Sequence, residues 1–109
     1  MKEIIAYIKP HRLTKVNMAL QKVKMLGGMS VSQVRGFGRR KEEDPVRTEA
    51  DDLLDFAEYM KIEIFCPDEI AEELVSLIDK TASTGLRGDG KIFISNVQRG
   101  FRIGNGEIV

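Results

Sequence analysis

Apolar residues recur along this chain in two rhythms, and their order predicts the fold. Ile4 to Ile8 is a short β-rich run closed by Lys9-Pro10. Proline has no amide proton, so Pro10 marks a strand end or a helix start. From Leu13 the apolar positions are Leu13, Val16, Leu20, Val23 and Met25 or Leu26. They fall near the helical period of about 3.6 residues, which predicts an amphipathic helix from about Arg12 to Met25. Thr14 is its candidate first-turn cap, and Gly27-Gly28 stops it. Val31, Gln33 and Arg35 then alternate with Ser32, Val34 and Gly36, as in a strand continued towards Phe37. Met60 to Phe65 alternates in the same way. Pro67-Asp68-Glu69 opens a second helix, with acids in the first turn where the helix dipole favours them. Ile70, Leu74, Leu77 and Ile78 form its apolar face, and it runs to about Ser83 before Gly85. Ile92 to Val97 is a last strand, with Arg99 to Ile103 as its expected continuation before Gly104-Asn105-Gly106.

The order is β-α-β, a long polar stretch from Gly38 to about Ala57, then β-α-β. Two such units in tandem predict a ferredoxin-like α+β sandwich, a four-stranded antiparallel sheet with both helices on one face. The other face has no helices. Its alternating Ile and Phe positions are expected to make it apolar and to call for a partner, self-association being the simplest cover. A polar stretch of roughly 20 residues between strands is longer than an ordinary connection, and such loops are usually functional or disordered. A mobile interaction loop and a plain solvated loop with a helical turn near Leu53 to Phe56 both fit it.

The densest local signal is Thr84-Gly85-Leu86-Arg87-Gly88-Asp89-Gly90-Lys91. Its glycines allow positive φ and close approach of backbone amides to a ligand. Successive amides in such turns can form an anion-binding concavity, and Arg87 and Lys91 could add charge-assisted bonds to phosphate. The spacing is not that of a P-loop, because Ile92 follows Lys91 where Ser or Thr belongs. Nor is it the dinucleotide fingerprint, because a strand follows instead of a helix. By loop chemistry alone, an ordinary glycine-rich turn fits equally well.

Composition narrows the function classes. With 109 residues the chain is one compact domain. Its 17 basic and 17 acidic residues cancel, which argues against gripping nucleic acid through an overall field. The single cysteine, Cys66, forms no intrachain disulfide and reads as a buried small hydrophobe at a strand end, consistent with a cytoplasmic protein. His11 is the only histidine, so a His/Cys zinc site within one chain is not expected, and no nucleophile elbow accompanies it. His11 is placed at a strand-to-helix turn. No segment is long and apolar enough for a membrane helix, and the first residues lack a signal-peptide core.

Taken together, these blocks resemble the PII signal-transduction family, the nitrogen regulatory P-II proteins. The resemblance runs from Met1 to about Ile103. Its carriers are Lys9-Pro10, Gly36-Phe37-Gly38-Arg39, Lys61-Ile62-Glu63-Ile64, and Thr84-Gly85 followed by Gly88-Asp89-Gly90-Lys91-Ile92-Phe93. It implies one domain over 1–109 and a homotrimer that binds ATP or ADP, with AMP as a further candidate, in clefts between subunits. The long loop, about 38–58, corresponds to the family's T-loop. Residues 84–91 correspond to its B-loop, and about 99–109 to its C-loop. Carried over residue by residue, Gly28, Met29 and Ser30 lie on the adenine side, with Glu63 and Phe65 on the same wall. Gly38, Arg39, Thr84, Gly88, Asp89, Gly90 and Lys91 lie at the phosphates, and Arg102 reaches phosphate from a neighbouring subunit.

Four positions depart from the family pattern. Arg40 stands where a glutamine helps to hold magnesium and 2-oxoglutarate, and a cation cannot serve as a magnesium ligand. Tyr59 replaces a lysine that pairs with the 2-oxoglutarate carboxylate. Asp52 replaces the loop tyrosine that many bacterial members uridylylate. Gly104 replaces a second C-loop arginine. The expectation is a divergent regulator that senses adenine nucleotides and controls a membrane transporter or metabolic enzyme through its long loop. The 2-oxoglutarate response is not expected, and Mg²⁺ is left open. It is not expected to be an enzyme. The competing readings are a nucleotide-hydrolysing enzyme, with Asp89, Glu63 and Lys91 as its polar groups, and a constitutive trimeric interaction module.

Overall fold

The computed structural model describes residues 1–36 and 57–109. Strand β1 is Lys2–Ile8, β2 Ser30–Gly36, β3 Ala57–Cys66 and β4 Gly90–Asn96; helix α1 is Leu13–Leu20 and α2 Asp68–Ala82. The four strands form one sheet in the order β2-β3-β1-β4, and every pairing is antiparallel. This is the expected ferredoxin-like α+β arrangement.

Period-two alternation sends Ile4, Ala6 and Ile8 of β1 and Ile62, Ile64 and Cys66 of β3 to one face, all of them buried. Val16 and Leu20 of α1 and Ile70, Ala71, Leu74, Ile78 and Ala82 of α2 close over them in a single core. Both helices therefore lie on the same side of the sheet. Cys66 packs in this core at the end of β3, and burial pushes its thiol pKa up.

Helix α1 is shorter than its apolar period suggests. Beyond Leu20 the chain tightens: Lys22 N–H donates to Ala19 O, Val23 N–H to Leu20 O and Leu26 N–H to Val23 O. These three-residue turns still pack Val23 and Leu26 against the core, so the period continues while the α-helix does not. Thr14 is not the cap. A 3₁₀ turn, Pro10–Arg12, leads in from Lys9, and Arg12 stands at the cap position without a side-chain bond to the helix. His11 sits in that turn. The Arg12 guanidinium instead donates to the Thr81 carbonyl at 3.0 and 2.7 Å, satisfying the last turn of α2.

The end of the chain also differs from expectation. Arg99 to Ile103 does not extend β4; Phe101 pairs with Ile108 in an isolated bridge. Arg102 N–H donates to Glu107 O and Val109 N–H to Gly100 O, making a small hairpin around Gly104-Asn105-Gly106. The helix-free face is mixed instead of apolar. Along β1, Glu3 lies between Phe65 and Ser95, Ile5 between Glu63 and Phe93, and Tyr7 between Lys61 and Lys91.

Leu74 is fully buried beneath the sheet. Leu74→Ala should lower the unfolding free energy by about 3 kcal/mol, the usual cost of a core cavity of this size. Urea denaturation at fixed protein concentration measures it.

Candidate functional site: a glycine loop clamped at the sheet end

The 83–89 segment connects α2 to β4, and Gly85, Gly88 and Gly90 all take positive φ in it or at its exit. Gly88 has φ 77° and Gly90 φ 122°. A Cβ on Gly90 would fall 1.7 Å from the Tyr7 carbonyl oxygen, which no neighbouring movement can relieve. Gly90 is thus required both by its backbone angle and by the close approach of β1. Near Gly88 the closest group is the Tyr59 hydroxyl, 3.8 Å from where a Cβ would stand.

Side chains tie the loop to itself and to the end of β1. Thr84 N–H donates to Asp89 Oδ2 at 2.8 Å, and the Thr84 hydroxyl donates to Asp89 Oδ1. Leu86 N–H donates to Thr84 Oγ1 at 3.1 Å. Lys9 Nζ lies 3.2 Å from Asp89 Oδ1 and 3.4 Å from Thr84 Oγ1. The Thr84 hydroxyl and amide, helped by Lys9, hold the Asp89 carboxyl down at about 2 from an ordinary 3.8, against the opposing pull of desolvation.

β-sheet register places this loop beside the base of the long connection. Ile8 pairs with Gly90 on one side and Met60 on the other, while Gly36 pairs with Ala57 where the 37–56 segment leaves and returns. Arg35, Gly36, Tyr59 and Gly88 therefore share one end of the molecule. Gly38, Arg39, Arg40 and Asp52 lie outside the described residues.

Of the expected binding residues, Thr84, Gly88, Asp89, Gly90 and Lys91 come together here. Ser30 and Glu63 face each other across β2 and β3, and Gly28 and Met29 lead into β2. Glu63 is level with Ile5, three residues back along β1 from Ile8, or about 10 Å from the level of Gly90. Its carboxylate is paired at 3.0 Å with Lys61, and that hydrogen bond raises the lysine pKa. Phe65 is exposed nearer the far end of β3, and Arg102 lies in the terminal hairpin, past the opposite end of β4. Within a single chain these residues thus lie apart from the loop.

Sequence reasoning had no reason to select Lys9 beyond its place in a motif; only the fold brings it to Asp89. An open groove of about 560 Å³ runs between α2 and the edge strand β4, ending on Asp89, Gly90 and Lys91. Glu72 and Asp79 make its helix wall acidic, so the groove alone does not suit a polyphosphate. No helix among the described residues is long and apolar enough to cross a membrane.

The model of the family described as Nitrogen regulatory protein P-II matches residues 1–107. The chain is 46% identical over 107 residues to Nitrogen regulatory protein P-II 1 of Escherichia coli, covering 98% of this chain and 95% of that one. It is 43% identical over the same shares to Nitrogen regulatory protein P-II of Bradyrhizobium diazoefficiens, and 41% to that of Haemophilus influenzae.

A carboxyl with a lowered pKa stabilises the native state fully above its unfolded value and loses that contribution as pH falls through the folded one. The stability difference between the wild type and Asp89→Asn should therefore be constant above pH 3.8 and shrink towards about pH 2. Denaturation midpoints measured across that range give the difference directly.

Proposed function

The chain belongs to the nitrogen regulatory protein P-II family, a family of signal-transduction regulators and not of enzymes, and we propose that the signal it reads is an adenine nucleotide. The single observation that carries this reading is the glycine loop. Gly88 and Gly90 hold positive φ, Lys91 follows them, and Lys9 and Asp89 fasten the segment at the sheet end. Exposed amides in a fixed turn beside a lysine are the chemistry that phosphate oxygens require. In this reading Gly38 and Arg39 join Thr84, Gly88, Gly90 and Lys91 at the phosphates, with Asp89 in the same loop holding Thr84. ATP or ADP is the ligand, with AMP as the smaller alternative.

The adenine side, Gly28, Met29, Ser30, Glu63 and Phe65, is supplied by a second copy, and Arg102 reaches phosphate from a neighbouring subunit. These residues lie away from the loop within one chain, and a homotrimer with nucleotides in its clefts brings them to it. The helix-free face, with Ile5, Tyr7, Phe65 and Phe93 among charged residues, is the surface that the other copies cover. A mixed surface of this kind suits subunit contacts that need both apolar area and matched charge.

Occupancy is relayed through the 38–58 loop to a partner, a membrane transporter or a metabolic enzyme, in the cytoplasm. The relay has a short path. Tyr59 stands at the returning strand beside Gly88, so nucleotide at the loop and the shape of the long connection share a wall. A ligand shifts such a loop only by contacting its two states differently. Tyr59 and Arg40 do not offer the chemistry that would hold Mg-ATP and 2-oxoglutarate as a chelate, so 2-oxoglutarate is not the second signal.

Calorimetry with ATP, ADP and AMP, with and without 2-oxoglutarate, tests the reading, alongside light scattering of the same samples. We expect adenine-nucleotide binding to a particle of three chain masses, with no gain in affinity from 2-oxoglutarate. Absence of binding by all three nucleotides would remove the sensor reading. Strong synergy between Mg-ATP and 2-oxoglutarate would remove the argument from Tyr59 and Arg40.

A further inference from the structure

We propose that Lys9, Thr84 and Asp89 form a clamp that sets the shape of the glycine loop before any anion arrives, with Asp89 acting as a positioning residue and not as an anion contact. The inference deepens the nucleotide reading, but its first test does not depend on it.

Three observations carry it. Both Asp89 carboxylate oxygens are engaged within the chain, Oδ2 by the Thr84 amide and Oδ1 by the Thr84 hydroxyl and Lys9. Thr84 works in both directions, because its Oγ1 also accepts the Leu86 amide. The contacts therefore join the first residue of the loop, its middle and its last residue before β4. Lys9 adds an anchor from outside the loop. It follows β1 directly and lies next to the 3₁₀ turn, so the loop is fixed to one of the two inner strands of the sheet.

The chemistry also favours this role over direct contact. A bare carboxylate beside a polyphosphate is repulsive. Here a cation pairs with the carboxylate, and both of its oxygens already accept hydrogen bonds. The clamp spends the negative charge on holding the Thr84 amide and hydroxyl in place. Preorganisation of this kind lowers the ordering cost of binding. Lys9 thereby gains a function that neither its exposure nor its neighbours in the sequence suggest.

The first measurement is amide exchange in the nucleotide-free protein, followed residue by residue in NMR spectra. In the wild type the Thr84 and Leu86 amides should be protected. In Asp89→Asn the Thr84 amide, and in Thr84→Val the Leu86 amide, which lose the carboxylate and the hydroxyl that accept them, should exchange at least about tenfold faster. Amides of Ile4 to Ile8 should stay slow, which separates a loosened loop from an unfolded protein. Thr84→Ser keeps the hydroxyl and should restore protection; Lys9→Arg should do the same where Lys9→Met does not. If Asp89→Asn fails to fold, the Thr84→Val and Thr84→Ser pair decides the question.

The second measurement is ATP affinity of the same variants. Asp89→Asn and Lys9→Met should each weaken binding by about tenfold, and the double variant by less than the product, because the two act as one unit. The loss should be equal with Mg²⁺ and with EDTA. Unchanged exchange at Thr84 in Asp89→Asn would overturn the clamp. So would ATP binding by Asp89→Asn that is tighter than wild type, or a loss confined to Mg²⁺, since either would place the carboxylate against the ligand. If the wild type binds no nucleotide, the exchange measurement alone decides the clamp, and only the nucleotide reading falls.

Discussion

Pairing of β1 with strands on both sides is the constraint from which the rest of the structure follows. Lys2 to Ile8 is bonded to β3 along one edge and to β4 along the other, residue for residue. Alternation then commits Ile4, Ala6 and Ile8 to the core and Glu3, Ile5 and Tyr7 to the opposite face. A slip of one residue would invert both sets, so the buried face specifies the register strongly. The same register carries Met60 and Gly90 to the level of Ile8. It also forces Gly90 against the Tyr7 carbonyl, where only a residue without Cβ fits.

The candidate site is a consequence of that alignment. The loop before β4 and the base of the long connection lie at one end because the strands that carry them are held in step by β1. Lys9, the next residue after β1, points its charge into the loop and meets Asp89. A regulator needs a stiff reading element beside a segment that can present different shapes. The helix-backed sheet with its tied glycine loop provides the first. At the far end of β1 the chain is fastened in a similar way: the amino group of Met1 pairs with Asp68 at 2.8 Å, at the start of α2, and that hydrogen bond lowers the Asp68 pKa.

Much of this was legible in the sequence, for reasons that differ by element. Strands β1 and β3 and helix α2 were readable because their apolar residues keep one period throughout and meet clear stop signals, Pro10, Pro67 and Gly85. The end of α1 was not, because Val23 and Leu26 still pack against the core in tighter turns; burial continues the pattern after the helical bonds have changed. The terminal hairpin was hidden for the opposite reason. Phe101 looks like a strand residue, yet its partner is Ile108, seven positions ahead, and Ile103 lies in the turn between them. The mixed character of the helix-free face follows from cross-strand neighbours, Lys61 and Lys91 beside Tyr7, which a single strand does not reveal. Within the site, the glycine spacing pointed to the loop. The contact of Lys9 with Asp89 spans most of the chain and leaves no local trace.

The proposed role of the 84–91 loop as a preset cradle for nucleotide phosphate is decided by titrating ATP into the isotopically labelled protein and following backbone amide shifts. The largest changes at saturation should fall on Gly85 to Lys91, with Gly88 and Gly90 foremost, while α1 barely moves. Saturation that leaves those amides unshifted, with the changes gathered elsewhere on the molecule, would contradict it.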